Sequence, residues 1–143
     1  MLVAERVSLL EQPVARGREA DLEGLASPIP IAGDESILSL EDIPGAVGRY
    51  QVVNIKLDKC GGLTEGLLMA DKARALGLDV MVGNMVGTSL AMAPGFVLGQ
   101  LCDVVDLDGP TFLAHDREPG VTYANGDIFA GPAVWGSGAP VTA

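Results

Sequence analysis

The sequence predicts an α/β fold in which short parallel strands alternate with helices. Five short apolar runs are separated by four segments of helical character, and this alternation is typical of a parallel sheet with right-handed crossovers. The runs are mostly apolar along their whole length, as expected of strands that are buried on both faces. Charged side chains close several of the runs at their C-terminal ends, which share one edge of a parallel sheet.

The early elements are short and are bounded by prolines and glycines. The predicted strands are 7–11, 29–32, 50–57, 78–82 and 103–108, and the predicted helices are 18–26, 40–47, 63–76 and 89–101. Pro13 stops the first strand. Ser39 is a suitable N-cap for the second helix, whereas Pro44 limits that helix to one or two turns.

The third unit has the strongest signals in the chain. Its strand carries Lys56 near its C-terminal end and is followed by paired glycines at 61–62. Apolar residues at Met69, Ala73 and Leu76 then follow a helical period. Gly77 stands where a helix C-cap belongs. In the next helix, Pro94 predicts a kink or a division.

The sequence changes character at Thr111, after the fifth strand. Glycine and proline become frequent, and Asn125-Gly126 predicts the turn of a β-hairpin over 121–129. The last dozen residues are expected to form an extended tail. We therefore expect a partial barrel or small sheet over 1–110 and a hairpin with a tail over 111–143.

Size and charge limit the classes of function. A chain of 143 residues can form one domain with a core but is too short for a complete eight-unit barrel of about 250 residues. The pattern alone leaves a small doubly wound sheet and five-eighths of a barrel both open. A net charge of −10 with nine basic residues argues against binding to nucleic acid or to an anionic membrane.

The apolar segments and the cysteines favour a cytoplasmic protein. Residues 80–102 carry no charge and could span a bilayer in length, but glycines, a proline and an asparagine interrupt them. We interpret this stretch as a buried strand, a loop and a buried helix. Cys60 and Cys102 have no metal-ligand spacing and are expected to be reduced. The N-terminus does not resemble a signal peptide.

Five charged side chains lie at or near the ends of the predicted strands: Glu11, Asp34, Lys56, Asp106 and Asp108. Carboxylates are the hard ligands that a divalent cation prefers, although two of them fill only part of its coordination shell. A lysine near a cation has a lowered pKa and can exchange a proton with carbon. Asp106 and Asp108 are two apart on a strand, so both point to one face and can bind an ammonium group.

Each of these side chains also has an ordinary structural explanation. Lys56 can be a strand-end lysine that extends into water. Glu11 and Asp34 can be caps or loop hydrogen-bond acceptors, and the Asp106/Asp108 pair can belong to a strand-end turn. The residues by themselves leave both explanations open.

Five motifs in this order and spacing resemble the enolase superfamily. They are Glu11-Gln12-Pro13, Gly33-Asp34-Glu35-Ser36, the run from Asn54 to Gly62, the run from Val82 to Ser89, and Asp106-Leu107-Asp108-Gly109-Pro110. The resemblance extends from about Val7 to the tail and is greatest to the dipeptide epimerases. It implies a partial TIM-type (β/α) barrel made of family strands four to eight, with helices outside and the hairpin and tail packed on it.

The resemblance also implies roles for the five side chains. Glu11 and Asp34 would be the second and third ligands of Mg²⁺, and Lys56 would be the acid/base lysine. The Asp106/Asp108 pair would hold the α-ammonium group of a dipeptide substrate. The implied reaction removes the α-proton of the C-terminal residue through an enediolate stabilised by magnesium, and a second lysine returns a proton on the opposite face.

Several family features have no counterpart in this sequence: the capping domain, the first three strands, the Lys-x-Lys on strand two and the first metal-ligand aspartate. A five-strand arc would expose two edges, so we expect part of a longer protein or association with another chain that completes the barrel. N-acylamino-acid racemase, o-succinylbenzoate synthase and muconate cycloisomerase are alternatives that the aspartate pair disfavours. A truncated, non-catalytic half-barrel is an alternative of another class.

Overall fold

Five parallel strands form one sheet in the computed structural model, which describes residues 2–136. The strands are β1 (Leu10–Glu11), β2 (Ile31–Gly33), β3 (Val52–Lys56), β4 (Asp79–Gly83) and β5 (Val104–Asp106). Each strand pairs with the one before it in the sequence. A doubly wound sheet reverses its strand order at a switch point, and this order never reverses. The sheet is therefore an arc of a (β/α) barrel, which confirms the predicted half-barrel.

The two long helices match their prediction, whereas the early helices are shorter. The α-helices are α1 (Ile43–Ala46), α2 (Leu57–Cys60), α3 (Leu63–Ala75) and α4 (Ser89–Gly99). The helix predicted over 18–26 is only a 3-10 turn, Glu19–Leu22. Gly17 and Gly24 flank that turn with φ of 89° and 74°, which ends any right-handed helix on both sides.

Prolines act differently in the two helices that contain them. Pro44 lies in the first turn of α1, where a backbone N–H has no helical partner to lose. The helix predicted over 40–47 is instead a 3-10 turn, Leu40–Asp42, followed by the four residues of α1. Pro94 predicted a kink or a division of the fourth helix, and α4 is not divided, since it is one helix that continues through Pro94.

The uncharged stretch 80–102 folds as a strand, a loop and a helix, as predicted. It forms most of β4 and then α4, which has 11 residues. Among residues 2–136, no helix combines the length and the apolar character that crossing a bilayer would require.

The hairpin is confirmed, but the segment after it is not extended where it is described. Strands β6 (Thr122–Ala124) and β7 (Asp127–Phe129) pair antiparallel. Asn125 and Gly126 have φ of 56° and 87°, as a two-residue type I′ turn requires. Pro132–Trp135 forms a 3-10 turn that packs on α4 and buries Val134. The rest of the predicted tail, 137–143, lies outside the described residues.

The core has two layers because side chains alternate along each strand. The outer layer packs the sheet against the helices and contains Val53, Ile55, Val80, Val82, Met69, Ala73, Met92 and Leu98. The inner layer is smaller and contains Ala32, Val52 and Met81, with Leu9 and Val104 beside them. Lys56 is an even number of residues from Val52, so it lies on this inner face, as does Asn54 between them.

We expect Met69→Ala to lower the free energy of unfolding by about 2 to 5 kcal/mol, because Met69 is fully buried and its removal leaves a cavity. Urea denaturation followed by circular dichroism measures the change. Leu68→Ala is the matched control, since the neighbouring Leu68 is 48 % exposed on the same helix. Equal losses in the two variants would contradict the assignment of this helix face to the core.

Candidate active site

The C-terminal edge of the sheet places the predicted side chains on one face. Glu11 is the last residue of β1, and Asp34 directly follows β2. Lys56 ends β3 and pairs with Gly83, which in turn pairs with Asp106 at the end of β5. A Cβ at Gly83 would lie 2.9 Å from Cε of Lys56, so the missing side chain leaves room for the lysine.

Asp34 is buried and accepts hydrogen bonds from two lysines. Lys56 Nζ donates to Oδ2 at 2.8 Å, and Lys59 Nζ donates to Oδ1. Burial raises the pKa of the Asp34 carboxyl, but the hydrogen bonds and charges of the two lysines outweigh burial and hold this pKa below its usual value. Asp34 is therefore ionised at neutral pH.

Gln12 holds the backbone and the surroundings of Asp34. Its Oε1 accepts a hydrogen bond from the Asp34 N–H at 2.8 Å, and its Nε2 donates to Ser36 Oγ at 2.9 Å. Gln12 has a φ of 40°, a conformation that is uncommon for a residue with a side chain. The Glu11-Gln12-Pro13 motif thus fixes the segment after β2 as well as ending β1.

Glu11 is linked across β2 to Asn54 on β3. Asn54 Nδ2 donates to Glu11 Oε1 at 2.6 Å. Burial and the charge of Asp34 raise the pKa of Glu11, whereas the Asn54 hydrogen bond lowers it. The net result is a raised pKa. The Glu11 and Asp34 carboxylates are therefore close enough to repel each other.

The side chains around Lys56 shift its pKa upward. Burial lowers the pKa of Lys56, but the hydrogen bond and charge of Asp34, with the charges of Glu11 and Glu35, outweigh burial and raise this pKa above its usual value. The surrounding residues alone therefore keep Lys56 protonated at neutral pH. The sequence-based expectation of a lowered pKa applies to a lysine beside a cation, and a base role requires such a nearby positive charge.

Asp106 and Asp108 lie together at the end of β5, and both are exposed. Partial burial at the sheet edge and the charge of Asp108 raise the pKa of Asp106, and the charge of Lys56 opposes the shift. The lysine is therefore near Asp106 as well as Asp34. Tyr123 on β6 donates a hydrogen bond to the Leu107 carbonyl at 2.6 Å, so the hairpin anchors this end of the strand.

Glu11 and Asp34 are suited to share a hard cation. The charge of Asp34 raises the pKa of Glu11, and a cation between the two carboxylates would relieve this repulsion. Asn54 Oδ1, buried next to Glu11, has no hydrogen-bond partner among residues 2–136. Residues 2–136 contain no group of three or more histidine, cysteine, aspartate or glutamate side chains arranged to hold a metal. The described residues thus provide part of a coordination shell.

The structure brings the five predicted side chains to one edge and adds three residues that sequence analysis missed. These are Asn54, Lys59 and Gly83. All three lie inside motifs that carry the resemblance to the enolase superfamily. Their contacts join residues far apart in the sequence, and no local pattern indicates them.

The sequence matches the family described as "Enolase C-terminal domain-like" over residues 1–138. It is 50 % identical over 127 residues to an N-acetyl-D-glutamate racemase from a Pseudoalteromonas species, covering 89 % of this chain and 40 % of the relative. It is 44 % identical over 122 residues to the L-Ala-D/L-Glu epimerase of Escherichia coli strain K12, covering 85 % of this chain and 38 % of that relative. The chain thus spans about two fifths of the length of these relatives.

Solved structures show the same fold. An enolase family member from Agrobacterium tumefaciens with homology to dipeptide epimerases, which holds sodium and L-Ala-L-Glu, superimposes with a TM-score of 0.89 at 46 % identity, covering 94 % of this chain and 41 % of that one. A dipeptide epimerase from Methylococcus capsulatus, complexed with Mg and the dipeptide L-Arg-D-Lys, superimposes with a TM-score of 0.81 at 32 % identity. The match covers 89 % of this chain and 38 % of that one.

We expect Asp34→Asn to lower the free energy of unfolding by about 3 kcal/mol at neutral pH, because two mostly buried amines lose their counter-charge. The pKa of Asp34 is lowered on folding, so its contribution is present above its usual value of 3.8 and is lost as the pH falls through the lowered pKa. The difference in the free energy of unfolding between Asp34→Asn and wild type should therefore become smaller at acid pH.

Urea denaturation at a series of pH values measures this difference. The control is Asp71→Asn, which removes an exposed carboxylate from α3. A difference between wild type and Asp34→Asn that does not change with pH would contradict the ion pairing of Asp34.

Proposed function

The chain belongs to the enolase C-terminal domain-like family, and we propose that it carries the acid/base and cation-binding edge of an isomerase acting on a dipeptide. The observation that carries this proposal is the Lys56 amine 2.8 Å from the buried Asp34 carboxylate, with Glu11 beside it. The relatives are an epimerase and a racemase, enzymes that invert a carbon centre. Inverting the carbon between an amide nitrogen and a carboxylate requires exchange of its proton.

Lys56 is the group that exchanges this proton. Its neutral amine takes the α-proton, and its ammonium form returns one to the same face. Asp34 orients the amine through a single hydrogen bond, and Gly83 leaves the space through which the lysine side chain extends.

Glu11 and Asp34 are the residues that would hold Mg²⁺, and they would be two ligands of a larger set. When bound, the cation would stabilise negative charge that develops on the substrate carboxylate as the α-proton leaves. The similar structure from Methylococcus capsulatus contains Mg with a dipeptide, which supports this choice of metal. The repulsion between Glu11 and Asp34 supports a positive ligand at the same place. Asn54 Oδ1, which no donor of the described part of the chain reaches, supports it too.

Epimerisation also needs an acid on the opposite face of the substrate. The described sheet has two free edges, since β1 pairs only with β2 and β5 only with β4 among residues 2–136. We propose that further strands, in the same polypeptide or in another chain, pair with these edges, close the barrel and supply that acid.

The substrate we favour has an α-ammonium group. L-Ala-Glu and N-acetylglutamate are both N-acylated glutamates, and they differ in that the dipeptide carries an ammonium group. Asp106 and Asp108 lie at the same edge as Lys56 and can bind that ammonium. An N-acetylated amino acid is the second candidate, because a relative at 50 % identity is an N-acetyl-D-glutamate racemase.

We expect Lys56→Met to reduce α-proton exchange by at least about a hundredfold, because it removes the only group proposed to move the proton on this face. Loss of the α-proton NMR signal of L-Ala-L-Glu in D₂O with Mg²⁺ measures the exchange. The chain is assayed alone and fused to the part of the Escherichia coli relative that it does not cover.

The matched control is Lys72→Met, which removes an exposed lysine from α3. Exchange that persists in Lys56→Met would refute the assignment of the base. No exchange by the wild-type chain in either form would support a non-catalytic half-barrel.

We expect Asp106→Asn combined with Asp108→Asn to raise the KM for L-Ala-L-Glu by about ten- to a hundredfold, because a charged hydrogen bond to the ammonium is worth about 1.5 to 3 kcal/mol. The KM for N-acetylglutamate should change little, since that substrate lacks the ammonium. Initial rates of exchange with the two substrates measure both values. A double variant that affects both substrates equally would argue against the ammonium site.

A further inference from the structure

Lys59 contacts Asp34 at two points, although the proposed chemistry gives it no task. Its amine donates to the backbone carbonyl of Asp34 at 2.5 Å and to Oδ1 of the same residue. Its side chain is only 16 % exposed, the same fraction as that of Lys56. A mostly buried amine with both contacts on one residue indicates a specific task at that residue.

We propose that Lys59 is a positioning residue that fixes the side-chain rotamer of Asp34 and so keeps the other carboxylate oxygen, Oδ2, turned toward Lys56. One amine that binds both the carbonyl oxygen and Oδ1 restricts rotation about the Cα–Cβ bond between them. This inference rests on the proposed function, since it concerns how a proposed cation ligand is held.

The local fold explains how two lysines reach the same carboxylate. Lys56 is the last residue of β3, and Lys59 lies three residues later in the single turn of α2. Gly61 ends that turn with a φ of 94°, so the chain then leaves the site. The turn therefore brings the second amine back over Asp34 immediately after the strand has delivered the first.

The two lysines bind different oxygens of the Asp34 carboxylate, and this arrangement also affects Lys56. With Oδ1 held by Lys59, Lys56 contacts Asp34 through Oδ2 alone. If Lys59 were absent, both oxygens of Asp34 would be available, and Lys56 could pair with either of them. Lys59 thus orients a cation ligand and limits the ion pairing of the neighbouring lysine.

The test compares wild type, Lys59→Met, Lys59→Arg and the control Lys72→Met in the 143-residue chain. Three-bond Hα–Hβ couplings of Asp34 report its rotamer without metal, and titration calorimetry with Mg²⁺ reports the Kd. We expect averaged couplings and a Kd raised about ten- to a hundredfold in Lys59→Met, as when a partner of a metal ligand is removed. Lys59→Arg should restore most of both properties, and Lys72→Met should match wild type.

The outcomes separate this inference from the proposed function. Couplings in Lys59→Met that match those of wild type would overturn the positioning role. A Kd that stays within about twofold of wild type, with altered couplings, would overturn its link to the cation. If wild type itself binds no Mg²⁺, the proposed cation site fails, and the couplings still decide whether Lys59 positions Asp34. Should Lys59→Met fail to fold, Lys59→Gln is judged by the same criteria.

Discussion

The Asp34 carboxylate is the group on which the C-terminal edge of the sheet depends. It is 5 % exposed, and an ionised carboxylate in such a place is stable only with donors and opposite charge around it. Lys56 and Lys59 supply both to the side chain, and Gln12 binds the backbone N–H. Gln12 follows β1, Asp34 follows β2 and Lys56 ends β3, so one buried charge joins three consecutive units of the half-barrel. This charge also determines where the Lys56 amine can lie.

Small residues on the inner face matter as much as the charged ones. Asn54 on β3 reaches Glu11 on β1 across β2, where Ala32 lies in the strand between them. A Cβ at Gly83 would lie within 3.0 Å of both the Asn54 amide and the Lys56 side chain. The polar contacts of the site therefore exist because the neighbouring strands present almost no side chain there, and a larger residue would displace them.

The charge balance at this edge supports a positively charged ligand. Carboxylates outnumber amines, since Glu11, Asp34, Asp106 and Asp108 lie at the same edge as Lys56 and Lys59. The excess contributes to the raised pKa values of Glu11 and Asp106, because a carboxylate beside another resists ionisation. A metal ion at one end and a substrate ammonium at the other would each relieve part of this repulsion. The net charge of −10 on the chain further favours the approach of cations.

The sequence by itself determined the order of the elements, helix α3, the Asn125-Gly126 turn and the identity of the charged side chains that close the strands. These depend on side-chain period and turn chemistry, which are local. The prediction from sequence was wrong for the helix over 18–26, because glycines with positive φ on both sides override the apolar pattern. Only the tertiary structure decided that Lys59 binds Asp34 and that Asn54 binds Glu11, since these partners are 25 and 43 residues apart. Strand register and sheet curvature set such pairings, and no short stretch of sequence encodes either.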